Sequence, residues 1–333
     1  MKFKKEYLIL IIAIAALALY LTLRSQGQHD GNLPQPTAVE KLDIDRIAFS
    51  VKDKPAIILV KKDEHWQIEP QGYPADDVKV KNMVNASADL KLTALASESE
   101  NYVRYDLTKD KQISVKAFAD GKIVREFFIG KAAPTFQHTF VLLAGDANVY
   151  HARGQLGRTF EQSIENLRDK TIFDVDKTRI SEVVLKKGDA ALKLVKKEIL
   201  PEPEKKDEAN EVQTEPETPP VAPEIQWHNA DGQAVENSAV DSLLGDIARM
   251  DCDAFLEKET QDRQDDTAWS ITFKDDEGQY TLTIHAPADD AAGKFPATAS
   301  SSPYTFELNK TRVERWEKEL NKLLGIQTVE EEK

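Results

Sequence analysis

Ile44-Asp45-Arg46-Ile47 and Ile180-Ser181-Glu182-Val183 open two stretches of this chain that read alike. The first runs through the strand-like Ile57–Lys62 to Trp66, the second through Leu192–Lys197 to Trp227. A helical apolar spacing follows each tryptophan. Val80, Met83, Val84, Leu90 and Leu95 match Val240, Leu243, Leu244, Met250 and Phe255, each offset by 160 positions. Both stretches continue with a hairpin, a further strand pair and a closing helix. A module written twice predicts two similar lobes. The expected class is α+β: two tandem, duplicated lobes of antiparallel sheet with packed helices, preceded by one N-terminal transmembrane helix.

Local signals fill in each copy. In the first, Ile47, Phe49 and Val51 alternate, Lys52–Pro55 turns, and Ile57–Val60 returns toward Trp66 and Ile68, a three-stranded meander. A helix from Tyr73–Asp77 to about Leu95 has carboxylates in its first turn. Ile113–Ile129 reads as a hairpin about Asp120-Gly121, Phe140–Tyr150 as another, and Leu156–Leu167 as the closing helix. In the second copy Val183–Val195 is the opening hairpin and Glu236–Met250 the helix. Trp269–His285 is the next hairpin, turning at Asp275–Gly278, and Tyr304–Leu308 a strand. Lys310–Leu324 is a helix closed by Gly325. The expected division is residues 1–25 as anchor, 26–40 as spacer, 41–172 and 173–326 as the two repeats, and 327–333 as an acidic tail. An acidic, proline-rich insertion at 198–224 interrupts the second repeat.

Charge is unevenly spread. The 333 residues carry a net −14, and half of it falls between Glu198 and Glu224. Pro201–Pro223 has too little apolar surface to offset its ordering entropy and is expected to be disordered. The acidic balance argues against a nucleic-acid partner, which requires a basic footprint. At the N-terminus Lys2, Lys4 and Lys5 precede an apolar run from Tyr7 to Leu23, broken only by Thr22 and closed by Arg24. As a helix it spans about 25 Å, enough for the bilayer with snorkelling ends. The lysine bias places the N-terminus in the cytoplasm and the body outside. An uncleaved anchor fits better than a signal peptide, because the Ala16-Leu17-Ala18 cleavage candidate lies inside the run.

No motif names a chemistry, and no catalytic, cofactor or metal residues are assigned. His29, His65, His138, His151, His228 and His285 form no ligand spacing, although His138 and His151 could meet across a hairpin as two ligands without a third. The pairs Asp43/Asp45, Asp174/Asp176 and Asp251/Asp253 flank regular elements, as caps and turns do. Gly154-Gln155-Leu156-Gly157-Arg158-Thr159 falls short of a phosphate loop and starts a helix instead. Cys252 sits between two aspartates that disfavour its thiolate. Lys61-Lys62, Lys186-Lys187 and Lys196-Lys197 read as a solvated rim. Trp66 and Trp227 are expected to plug the two cores, the alternative being exposed platforms for a sugar or peptide. Arg168, Asp169 and Lys170 are candidates for the lobe junction or for a partner, the junction being favoured.

Several short strings carry a resemblance. They are Ile44–Ile47, Trp66 followed by Pro70, the helix after Ala75-Asp76, and Tyr105-Asp106-Leu107 before the Ile113 strand. Phe128-Ile129-Gly130-Lys131 and Leu167-Arg168-Asp169-Lys170 complete the set. With these, roughly Leu42 to Leu324 resembles a bacterial family of anchored extracytoplasmic proteins of unknown function, often encoded beside ABC transport systems of the gliding-motility auxiliary type. The resemblance implies a non-enzymatic accessory or scaffold protein of the cytoplasmic (inner) membrane, single-pass, with its bulk in the periplasm. Its expected partners are the bilayer, through the N-terminal helix, and a membrane complex such as an ABC transporter permease. A binding module for cell-wall glycan or peptide, using an inter-lobe groove, is the alternative.

Overall fold

The structure is a computed structural model that describes residues 14, 16, 17, 19, 33, 34, 36, 39–52, 54–134, 136–199, 224–256, 267–287 and 293–326. The chain divides into two compact units between Asp169 and Lys170. Both are mostly antiparallel sheet with few helices.

The first unit contains β1 (Arg46–Val51), β2 (Ile57–Lys62), β3 (His65–Glu69), β4 (Tyr73–Pro74) and β5 (Leu92–Ser97). It continues with β6 (Ile113–Ala119), β7 (Lys122–Ala132), β8 (His138–Leu143) and β9 (Val149–Arg153). They form one nine-stranded sheet in the order β4-β3-β2-β1-β6-β7-β8-β9-β5. Helix α1 (Asp77–Ala88) joins β4 at one edge to β5 at the other. Asp76 caps α1, accepting from the backbone N–H groups of Val78 and Lys79 at 3.0 Å. The helix buries Val80, Met83 and Val84 in a core with Ile47, Leu59, Val115 and Phe127. Side chains of this size contribute about 1.5–3 kcal/mol each when fully buried.

The second unit contains β10 (Thr171–Asp174), β11 (Glu182–Lys187), β12 (Ala190–Ile199), β13 (Glu224–Asn229), β14 (Ala234–Val235) and β15 (Arg249–Asp251). Then come β16 (Ala254–Phe255), β17 (Thr267–Lys274), β18 (Gln279–His285), β19 (Lys294–Ala299) and β20 (Ser302–Asn309). The sheet order β14-β13-β12-β11-β17-β18-β19-β20-β16 repeats the first strand for strand. The register repeats as well. Ile47 faces Leu59 as Val183 faces Leu194, and Lys61 faces Trp66 as Lys196 faces Trp227. A one-residue slip would turn every core side chain outward, so matching rungs mean matching cores. The second unit adds one pairing, β10 with β15.

Three helix expectations are corrected. The helix after Trp66 ends at Ala88, and Leu92–Ser97 is strand β5, paired with β9 through Leu95 and Tyr150. The helix after Trp227 is α4 (Asn237–Ile247), and Met250 and Phe255 lie in β15 and β16, the latter facing Phe306. Strands β5 and β16 take the open edge of the last hairpin in their copies, β15 pairs with β10, and this tertiary pairing overrides local helix propensity. Leu156–Leu167 is two short helices, α2 (Leu156–Phe160) and α3 (Ile164–Leu167). Between them Ser163 is extended, and its Oγ accepts from the Asn166 N–H at 3.2 Å, which restarts the helix. The closing helix α5 (Lys310–Leu324) lies where expected, capped by Asn309 and ended by Gly325 at φ +69°.

The expected anchor falls almost wholly outside the described residues. Of it Ile14, Ala16, Leu17 and Leu19 are described, all helical and exposed. Among the described residues no helix is long and apolar enough to cross a membrane. The expected disordered Pro201–Pro223 also lies outside them. Strand β12 runs to Ile199, which is paired directly with Glu224.

Candidate functional site

In the first unit a cavity of about 380 Å³ opens where the ends of β6 and β7, the loop before β8 and helix α2 converge. Two strings that carried the family resemblance meet here. Gly130 lies so close to the 105–107 segment that a Cβ would overlap the Tyr105 carbonyl oxygen and stand 2.9 Å from Leu107 Cγ. Three non-glycine residues lining the cavity have left-handed backbone: Lys52 (φ 51°), Asp106 (φ 56°) and Phe136 (φ 56°). That conformation is unfavourable for a bulky side chain and persists only where neighbours hold it. Phe136 is held through its carbonyl oxygen, which accepts from Gln155 Nε2 at 2.8 Å, and through its N–H, which donates to the Ala133 oxygen. Its ring is 68% exposed. Lys52 pairs with Glu161 at 3.0 Å and Lys111 with Asp106 at 3.4 Å.

A second cavity of about 660 Å³ lies beside α1, lined by Trp66, Lys41, Lys61, Asp77, Lys81 and Asp89 among others. Lys41 and Asp89 close one side at 2.6 Å, and Lys61 pairs with Glu64 at 2.8 Å. Trp66 itself is only 9% exposed and Trp227 only 2%, so neither indole face is offered to a sugar or peptide. Trp227 is also locked by its backbone. Its N–H donates to Asn237 Oδ1 at 2.9 Å, and Asn237 Nδ2 donates to the Ile225 oxygen at 2.6 Å, tying the start of α4 to β13.

Arg168, Asp169 and Lys170 are held by their own units. The buried Arg168 guanidinium lies over the Tyr73 ring at 3.9 Å, and its backbone bridges Ala75. The Asp169 N–H donates to the Pro74 oxygen at 2.9 Å. Lys170 Nζ donates to the Asp253 oxygen at 2.7 Å, and its own carbonyl accepts from Cys252, which is buried.

Other candidates fall into structural roles. Asp45 accepts from the Asp120 N–H, Asp176 caps a short helical turn at Thr178, and Asp253 accepts from Asn309 Nδ2. Asp275 is buried because it accepts from Glu277 and Gly278 inside its turn. His138 and His151 do meet, ring centres 6.1 Å apart, and no cluster of three metal-ligand side chains exists among the described residues. Burial, and secondarily the charge of His138, pushes His151 below the ordinary imidazole value. Burial does the same to His285, whose Nε2 lies 3.1 Å from Thr298 Oγ1. Folding therefore favours the neutral form of both rings, whereas the unfolded chain takes up protons below about pH 6.5. Their contribution is therefore present above that pH and lost as pH falls through it. Thermal melts at about pH 7.5 and about pH 5 should show a loss at acid pH that the double variant His151→Gln/His285→Gln reduces. An unchanged acid loss in the variant would refute the assignment.

Comparison with known proteins adds a lineage. A family model matches residues 66–270. The chain belongs to the family described as Domain of unknown function (DUF4340). The match begins at Trp66 and takes in the Gly130 contact, the 168–170 string and most of the second unit. No curated protein and no solved structure matches the chain.

Lys131, Arg158 and Phe136 were not singled out as site residues by the sequence. Lys131 ends a family-like string and Arg158 lies in the glycine-containing 154–159 stretch, but the spacing of the two strings carries no sign that they converge.

Proposed function

We propose that this chain is a non-enzymatic, membrane-anchored extracytoplasmic accessory or scaffold protein. Its two sheet units would stand outside the cytoplasmic membrane beside an integral partner, such as the permease of an ABC-type transport system. The observation that carries the reading is the Lys2/Lys4/Lys5 bias ahead of Tyr7–Leu23. The exposure of the helical side chains Ile14, Leu17 and Leu19 supports it, because water solvates such a surface poorly. An anchor confines the units to the membrane plane and raises their effective concentration near an integral partner without a tight interface. The family description leaves the activity open, and the association with gliding-motility-type transport rests on the resemblance alone.

Alkaline phosphatase fused after Lys333 should be active, and the fusion should stay with the membrane fraction. Crosslinking in intact membranes should then capture a transport component. A fusion active only as a cytoplasmic reporter would falsify the orientation. Retention on cell-wall glycan with no transport component captured would replace the accessory reading with the glycan-binding one.

A further inference from the structure

The cavity between β6, β7 and α2 has a charge opposite to that of the whole protein. Four cations line it, Lys52, Lys111, Lys131 and Arg158, against two carboxylates, Asp106 and Glu161. Each carboxylate is taken by one lysine, Glu161 by Lys52 and Asp106 by Lys111. Lys131 and Arg158 make no ion pair among the described residues, so the cavity carries two uncompensated positive charges in a chain of net −14. An arginine guanidinium presents a planar fork of donors that matches a phosphate or carboxylate, and a lysine adds a point charge. An exposed aromatic ring, Phe136, stands at the same cavity on left-handed backbone. A phenylalanine there gains nothing for the fold: its ring is not buried and its conformation is unfavourable. A ligand that covered the ring would recover that apolar surface.

We propose that this cavity binds a small ligand bearing a phosphate dianion, with Lys131 and Arg158 holding the phosphate and Phe136 covering the adjoining organic group. The volume, about 380 Å³, suits a ligand of that size. Two positive charges match the dianion, and the Lys52–Glu161 and Lys111–Asp106 pairs fix the walls. The same chemistry is carried by a soluble phosphate monoester and by a lipid headgroup that ends in a phosphomonoester. The proposal uses no part of the anchor and stands whether or not the transport reading does.

The test is isothermal titration of the full chain in phosphatidylcholine nanodiscs. Phenyl phosphate should bind, inorganic phosphate more weakly, and benzyl alcohol not at all. The double variant Lys131→Ala/Arg158→Ala should weaken phenyl phosphate by at least about tenfold at unchanged melting temperature, since both side chains are exposed. Phe136→Asn, which tolerates the left-handed backbone, should bring phenyl phosphate down to the level of inorganic phosphate without lowering the melting temperature. Repeating the titration in nanodiscs containing phosphatidic acid, whose headgroup is a phosphomonoester, separates the sources. Weaker apparent binding there assigns the site to the lipid headgroup, and equal binding assigns it to a soluble ester. Absence of phenyl phosphate binding, equal binding by the double variant, or equal binding of benzyl alcohol overturns the proposal.

Discussion

Trp227→Ala is expected to lower the unfolding free energy of the second unit by about 3–5 kcal/mol, the range for removing a fully buried tryptophan. Trp227 lies in one core with Val183, Leu194, Val240, Leu244 and Trp316. The start of α4 is bound to its strand through Asn237, so the surrounding structure has little freedom to collapse into the space left behind. Its equivalent in the first unit offers an internal comparison. Trp66 borders the 660 Å³ cavity, and water already has access to that side of it. Trp66→Ala should therefore cost less, nearer about 2 kcal/mol. Urea unfolding of the whole chain followed by circular dichroism measures both. Equal losses, or a Trp227 loss below about 1 kcal/mol, would show that the two rings do not play the roles their burial assigns.

The second large effect is expected at Gly130. An alanine methyl there meets the backbone oxygen of Tyr105 and the Leu107 side chain, and a backbone oxygen cannot swing aside as a flexible side-chain end can. Gly130→Ala should cost about 2–3 kcal/mol through forced separation of β7 from the 105–107 segment, and Gly130→Val more. Gly157 is the control, since it lines the same cavity in α2 with nothing within 4 Å of an added Cβ. Gly157→Ala should be neutral or stabilising by about 0.4–1 kcal/mol, because it restricts only the unfolded chain. Melting curves of the two variants should diverge in sign or nearly so. A Gly130→Ala protein as stable as the parent would mean that the two family-like strings are not held by this approach.

The sheet units were legible because alternation and turn chemistry act locally. Asp120 and Gly121 both have positive φ, as a tight two-residue hairpin turn requires, and Asn309 and Gly325 bracket α5 as cap and stop. What the sequence hid is what tertiary pairing decides. Leu90 lies seven residues after Met83 and Leu95 eleven after Val84, both helical spacings, yet the chain leaves the helix at Asp89 to pair with β9. Strand β19 was obscured by Pro296, a poor strand residue. It is tolerated because β18 pairs with β19 only from Ala297 onward, so at Pro296 the strand has one open side. The candidate site was hidden for a related reason. Lys131 lies in β7, Phe136 in the loop before β8 and Arg158 in α2, and neither Lys52 nor Phe136 advertises left-handed backbone in a sequence as glycine or asparagine does.

The rung that pairs Ile199 with Glu224 gives the molecule a built-in port. Whatever chain lies between these residues leaves and re-enters the sheet across one strand spacing, about 5 Å. Loop-closure entropy grows only slowly with length, so material could lengthen or shorten at this point over evolutionary time without asking either strand to re-register. The first unit closes the same hairpin with Asp63 and Glu64 alone. One copy thus has the minimal loop while the other has a place where new sequence can be tried at little risk to the sheet. The same opening makes residues 200–223 the natural seat for an epitope or a fluorescent reporter on an otherwise continuous scaffold.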